Sequence, residues 1–211
     1  VGYGLTETNA HATNASGMLL YDRPSTAGFA TPFLNLIKVV GEDGSELGPN
    51  EIGEVAIKST CNFRCYLKNE EATNEVLDDE GWFRSGDVGI IDDEGFLFIK
   101  DRIKDIVIRG GENIACLEIE AAIYEHPSVR EASVFGVPDE RLGEKLATRI
   151  SLNPGAELSQ EELSSFLAEK IAKFKVPEYA WFQADELPKV AAGKIAKKQM
   201  REEAIKELEL D

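Results

Sequence analysis

Asp101-Arg102-Ile103-Lys104-Asp105-Ile106-Val107-Ile108-Arg109-Gly110-Gly111 joins two regions of different composition. Four of its first five residues are charged, an apolar strand-like core follows, and a glycine pair closes it. A charged segment between folded units suits a hinge, and paired glycines let the backbone take positive φ or approach a ligand closely. The same residues also read as an ordinary exposed link with a hairpin after it. The flanking regions decide between these.

Upstream, residues 1–20 carry Tyr3-Gly4-Leu5-Thr6-Glu7-Thr8, which reads as a helix start capped by Thr6 or Thr8, or as a ligand loop. From 28 to 58 the pattern is β: an apolar run over 33–40, a turn at Gly41-Glu42-Asp43-Gly44 and a second strand over 52–58. Residues 66–79 predict a short helix and a loop. Trp82-Phe83-Arg84-Ser85-Gly86-Asp87 precedes a hairpin with strands near 88–91 and 96–100. Short strands joined by glycine turns suggest a small β-barrel or sandwich.

Downstream, the pattern becomes α+β. Residues 106–108 and 113–115 can pair around Gly110-Gly111. A helix over 117–124 stops before Pro127, and a strand follows over 129–137. Leu146, Thr148, Ile150 and Leu152 alternate with polar neighbours, as in a half-buried strand. Ser159 with Glu162 forms a capping box, leading a helix with Leu163, Phe166, Leu167 and Ile171 on one face. A strand over 179–183 and a last helix buried through Met200, Ala204, Ile205 and Leu208 complete an α+β sandwich of about 110 residues.

The bulk numbers exclude several classes. With 211 residues the chain holds one large or two small domains, and 43% hydrophobic residues supply their cores. A net charge of −16 disfavours nucleic acid and anionic membranes as general partners, and it obliges any nucleotide site to bring local cations, backbone N–H groups or a metal. No apolar run reaches the roughly 18 residues of a membrane span. No signal peptide is visible, and the start at Val1 suggests a fragment or a processed chain. Cys61, Cys65 and Cys116 form neither a disulfide framework nor a zinc set, so a reduced, cytoplasmic setting is expected.

Four short signals carry chemistry. In Tyr3-Gly4-Leu5-Thr6-Glu7 an aromatic can stack on a purine, a hydroxyl can bond a phosphate and a carboxylate can hold Mg²⁺, although a plain turn explains it as well. In Arg84-Ser85-Gly86-Asp87 the aspartate can accept both hydroxyls of a ribose or simply close a turn. The hinge is the third. In Pro188-Lys189-Val190-Ala191-Ala192-Gly193-Lys194-Ile195 a lysine in a glycine loop can meet an anion, or only water.

Taken in order, these signals resemble the adenylate-forming superfamily of acyl-CoA synthetases, luciferases and peptide-synthetase adenylation domains. Tyr3 to Glu7 looks like its aromatic-Gly-x-Thr-Glu motif and Arg84 to Asp87 like its Thr/Ser-Gly-Asp motif. Residues 101–120 resemble its hinge, with Arg-x-Lys-Asp, Gly-Gly-Glu-Asn-Ile and Glu-Ile-Glu in succession. Gly136-Val137-Pro138-Asp139, Phe174-Lys175-Val176-Pro177 and Lys194 match its C-terminal domain. The resemblance implies that Tyr3 stacks on adenine, Thr6 contacts phosphate, Glu7 binds Mg²⁺, Asp87 takes the ribose hydroxyls and Arg102 lies beside them. It makes Lys104 the hinge and Lys194 the bridge between acyl carboxylate and α-phosphate. It lays the pantetheine arm of CoA past Gly110 and Gly111.

The implied reaction joins a carboxylic acid, by expectation a fatty acid, to ATP as an acyl-adenylate and then transfers the acyl group to CoA. An aryl-acid or luciferase-like enzyme, or a non-catalytic nucleotide- or partner-binding module, are the alternatives. The family's glycine- and threonine-rich phosphate loop and its large N-terminal α/β portion are not in this sequence. The expectation is therefore an inactive C-terminal fragment, with residues 1–103 as a distorted barrel-like final subdomain of the large domain and 104–211 as a mobile α+β domain. Residues 1–20 are expected to be disordered or rearranged. The expected partners are the acid, ATP and CoA, with no nucleic acid, no membrane span and at most peripheral membrane contact.

Overall fold

The computed structural model describes residues 1–210 and divides into two units within the quoted stretch, Val1–Lys104 and Asp105 onward. In the first unit, β1 (Gly2–Tyr3), β2 (Thr13–Asn14), α1 (Met18–Asp22) and β3 (Phe29–Ala30) are short. They are followed by β4 (Asn35–Val40), β5 (Gly53–Ser59), α2 (Glu70–Val76), β6 (Trp82–Ile91) and β7 (Leu97–Arg102). β1-β2-β3 and β4-β5-β6-β7 are two antiparallel sheets. No barrel closes. The segment before β3 bonds to the first residue of β7 instead: Ala27 N donates to Leu97 O at 2.7 Å, Leu97 N to Gly28 O at 2.8 Å and Thr26 Oγ1 to Leu97 O at 2.9 Å. Gly28 lets this segment lie close against β2, since a Cβ there would lie 2.3 Å from Asn14 C, at a φ of +96°.

Residues 1–20 are not disordered. β1 pairs with β2, and Ala12 is fully buried with Val55, Ile57 and Leu97, against which Tyr3 and Leu5 pack. The predicted cap also differs. Residues Thr6–Thr8 form one 3₁₀ turn whose N-cap is Leu5. Thr8 Oγ1 accepts from Leu5 N at 3.0 Å and donates back to Leu5 O at 3.1 Å, so buried Thr8 staples the turn from its far end.

The second unit runs β8 (Val107–Arg109), β9 (Glu112–Ile114), α3 (Cys116–Tyr124), β10 (Val129–Asp139), β11 (Gly143–Leu152), α4 (Gln160–Ala168), β12 (Tyr179–Gln183) and α5 (Lys197–Glu207). β10 and β11 form a long antiparallel hairpin, β12 adds parallel to β11, and β8 joins at Gly143↔Arg109. The period-2 pattern sorts the hairpin into two faces. Ala132, Val134, Leu146 and Ile150 meet Ile119 and Ile123 of α3 and Leu163 and Leu167 of α4. Phe135, Val137 and Ala147 meet Met200 and Ala204 of α5. The capping box forms as read: Ser159 Oγ accepts from Glu162 N, and Glu162 Oε2 accepts from Ser159 N at 2.9 Å.

Candidate functional site

In the first unit the site grows from a bulge. β5 pairs Ala56 with Arg84 and Glu54 with Val88, so Ser85, Gly86 and Asp87 of β6 together face Val55. Gly86 takes a φ of +72°, which glycine adopts without a Cβ penalty. Glu54 pins the bulge, accepting from Gly86 N at 2.9 Å and Arg84 Nε at 2.7 Å. Ser85 Oγ donates to Val55 O at 2.7 Å and accepts from Asp87 N at 3.1 Å. A bulge re-aims a side chain, and here it sets the buried Asp87 opposite Arg102 of β7.

Three predicted residues meet there. Tyr3 Oη donates to Asp87 Oδ2 at 2.6 Å and Arg102 Nε to Asp87 Oδ1 at 3.1 Å. Burial, and then the bond to Asp87, push the Tyr3 phenol far above the usual tyrosine range, so it stays a neutral donor. Each carboxylate oxygen has a second lone pair, so Asp87 keeps acceptor capacity. Gly4 lets the chain fold tightly after Tyr3, since a Cβ there would lie 2.4 Å from Ala10 C.

Glu7 is held elsewhere in the unit. Tyr66 Oη donates to Glu7 Oε1 at 2.8 Å, and burial with that bond raises the Tyr66 pKa to about 12. Thr6 is exposed. Among the described residues no group of three or more His, Cys, Asp or Glu side chains could hold a metal alone. A lone carboxylate still suits Mg²⁺, which binds through one or two carboxylates plus substrate phosphates.

Lys104 is exposed in a 3₁₀ turn, Ile103–Asp105. In the second unit Gly110 and Gly111, with φ of +61° and +88°, make the two-residue turn between β8 and β9. Two positive φ values are what a type I′ hairpin requires. A Cβ on Gly111 would meet nothing within 4 Å. Lys194 is exposed on a tight hairpin: Val190 N donates to Lys194 O at 2.8 Å, Gly193 N to Val190 O at 2.8 Å and Ala196 N to Pro188 O at 2.7 Å.

The turn and the hairpin are anchored at different places on the β10–β11 pair. The glycine turn touches the end of β11, with Gly110 N donating to Leu142 O at 2.7 Å, next to Gly143, which pairs with Asp139. The Lys194 hairpin is fixed to the other end of β10, where Lys189 Nζ meets Glu131 Oε1 at 2.8 Å. From Glu131 to Asp139 is roughly 26 Å of strand.

The structure adds residues that the sequence did not single out. Tyr66 lies 59 positions from Glu7, a separation that no local spacing reveals. Glu54 lies on β5, away from the quartet it pins. Glu120 was flagged only as part of a motif, yet its Oε1 meets Lys197 Nζ at 2.9 Å.

Comparison with known proteins accounts for this arrangement. Residues 1–67 match the family model described as AMP-binding enzyme, and residues 118–194 match the AMP-binding enzyme C-terminal domain. Long-chain-fatty-acid–CoA ligase FadD13 of Mycobacterium tuberculosis is 40% identical over 202 residues, 96% of this chain and 39% of that protein. 4-Coumarate–CoA ligase-like 9 of Oryza sativa is 38% identical over 210 residues, 98% of this chain and 38% of that protein. The o-succinylbenzoate CoA synthetase of Bacillus subtilis, solved with its acyl-adenylate intermediate, superposes with a TM-score of 0.87 at 32% identity, covering 95% of this chain and 40% of that one. The same enzyme has been solved with ATP and a magnesium ion, at a TM-score of 0.85. The chain thus spans about two fifths of the length of these relatives, and it belongs to the AMP-binding, adenylate-forming enzyme family.

Proposed function

We propose that this chain is part of an AMP-forming acid–thiol ligase that activates a carboxylic acid, most simply a fatty acid, as an acyl-adenylate and passes it to CoA. A carboxylate is a poor electrophile. Its attack on the α-phosphate of ATP expels pyrophosphate, and the CoA thiol then expels AMP. Asp87 would accept the ribose hydroxyls beside Arg102, Tyr3 would flank the adenine, and Thr6 would meet a phosphate. Glu7 would hold Mg²⁺, which would supply charge neutralisation at the phosphates. Lys194 would bridge carboxylate and α-phosphate, and Gly110 and Gly111 would leave room for pantetheine.

The spacing of the Lys194 hairpin and the glycine turn carries this reading. Two groups anchored at different points along one strand pair, Lys189 at Glu131 and Gly110 at Leu142, suit successive half-reactions separated by a domain movement. Relatives named for long-chain fatty acids and for 4-coumarate match at similar identity, which keeps an aryl acid as the second reading. Pyrophosphate release by the full-length protein across a panel of acids separates them. Fatty acids should lead; an aryl lead selects the second reading, and no release with any acid sinks both.

Lys104 offers a separate check. Its side chain is exposed, so substitution disturbs no core. Proline would fix its φ near −65°. In the full-length enzyme Lys104→Pro should leave adenylation intact and slow thioester formation roughly tenfold or more. Equal loss in both half-reactions, measured separately, would remove Lys104 from the hinge.

A further inference from the structure

The Lys194 hairpin has a basic residue at each foot, and each is held by a glutamate of a different element. Lys189 Nζ lies 2.8 Å from Glu131 Oε1 on β10 and 2.8 Å from Glu186 Oε2. Glu131 Oε2 also accepts from Leu187 N at 2.8 Å, tying the buried Leu187 to the same strand. At the other foot, Lys197 opens α5 and lies 2.9 Å from Glu120 Oε1 on α3, which also accepts from Val134 N at 2.8 Å. The side chains of Glu120 and Lys197 are only 13% and 20% exposed. Lys194 itself, by contrast, makes no ion pair among the described residues and stands exposed between the two feet.

We infer that Glu120 and Glu131 are positioning residues for adenylation, clamping the Lys194 hairpin at both feet so that its ammonium is presented from a fixed base. This rests on the role proposed above for Lys194. A nine-residue hairpin, 188–196, carries an exposed glycine at its tip and reaches the core only at one foot, through Ile195 and the buried Ala196. The two ion pairs add a hold at both feet, from the core-packed α3 and β10. The charge states agree with the geometry. Burial alone would lower the Lys197 pKa, but Glu120, together with Cys116 and Asp105, outweighs it and holds the ammonium above the ordinary lysine range. Burial would raise Glu131, yet its bonds to Lys189 and Leu187 carry it below the ordinary glutamate range. Lys197 and Glu131 are therefore charged at neutral pH.

The test uses the full-length enzyme with Glu120→Gln and Glu131→Gln, which keep side-chain size and an acceptor for Val134 N or Leu187 N while removing the charge. A misplacement of about 1 Å can cost 10²-fold in rate. Each substitution should lower the kcat of adenylation about 10- to 100-fold, leave the KM for ATP nearly unchanged, and spare thioester formation from supplied acyl-adenylate. Lys197→Arg, which keeps the charge, should retain most adenylation and carries the test if Glu120→Gln fails to fold. Equal loss in both half-reactions would mean a merely structural role and overturn the inference. Unchanged adenylation in both Gln variants, with Lys194→Ala inactive, would overturn the clamp and leave Lys194 standing. Full adenylation by Lys194→Ala would instead sink the reading on which the clamp rests.

Discussion

Full-length enzyme carrying Lys194→Ala should form acyl-adenylate roughly 10²–10³-fold more slowly, the cost of one preorganised donor at a developing charge, about 3–4 kcal/mol. Carboxylate and α-phosphate are both anionic, and their approach in the first half-reaction concentrates negative charge between them. A fixed ammonium offsets that repulsion only where it stands. Because Lys194 is exposed and its hairpin is closed by backbone bonds of residues 188–196, truncation should not touch folding. The unfolding midpoint should reflect a change within about 0.5 kcal/mol, as at other surface positions. Thioester formation from supplied acyl-adenylate should persist, since the phosphate repulsion has already been overcome. The two half-reactions are read separately, by pyrophosphate exchange and by CoA-thioester yield. Equal losses would remove Lys194 from its assigned step.

The largest stability effect is expected at Ile123→Ala. Ile123 is fully buried on α3 in the cluster that also holds Val134 and Ile150 of the β10–β11 hairpin and Leu163 and Leu167 of α4. Removing most of such a side chain loses transfer free energy and leaves a cavity, at a cost of about 2–5 kcal/mol. That is a large share of the 5–15 kcal/mol typical of a domain. Urea unfolding should show a lower midpoint at an unchanged slope. Ile108→Ala is the control: the same residue type, 56% exposed on β8, where the change should stay within about 0.5 kcal/mol. Equal costs at the two positions would contradict the packing described for α3.

What the sequence revealed depended on whether the signal was local. The capping box of Ser159 and Glu162 spans four residues and was visible directly. The alternation from Leu146 to Leu152 named the face that meets α3 and α4. Glycines 110 and 111, side by side, marked a turn. A period, however, names a face and never a partner. Nothing in 97–102 announces that residues 26–28 will bond to Leu97, and so a barrel-like or sandwich arrangement was expected where two open sheets form. Tyr3 and Asp87 were each noted, but their hydrogen bond spans 84 positions. The Thr6 or Thr8 cap failed because a turn of three residues leaves no room for an N-cap threonine ahead of it, and Leu5 takes that place.

The β10–β11 hairpin has one more consequence. Strands paired along ten positions are stiff, so their length behaves as a spacer between two tools at opposite ends. Insertions in the exposed tip at 140–141 would leave that spacing alone, whereas two residues added to each strand would keep the alternation of faces and still move the anchors apart. On the proposed mechanism, the order of activation before transfer is recorded in a distance, and the chain can drift in composition along those strands more freely than in count.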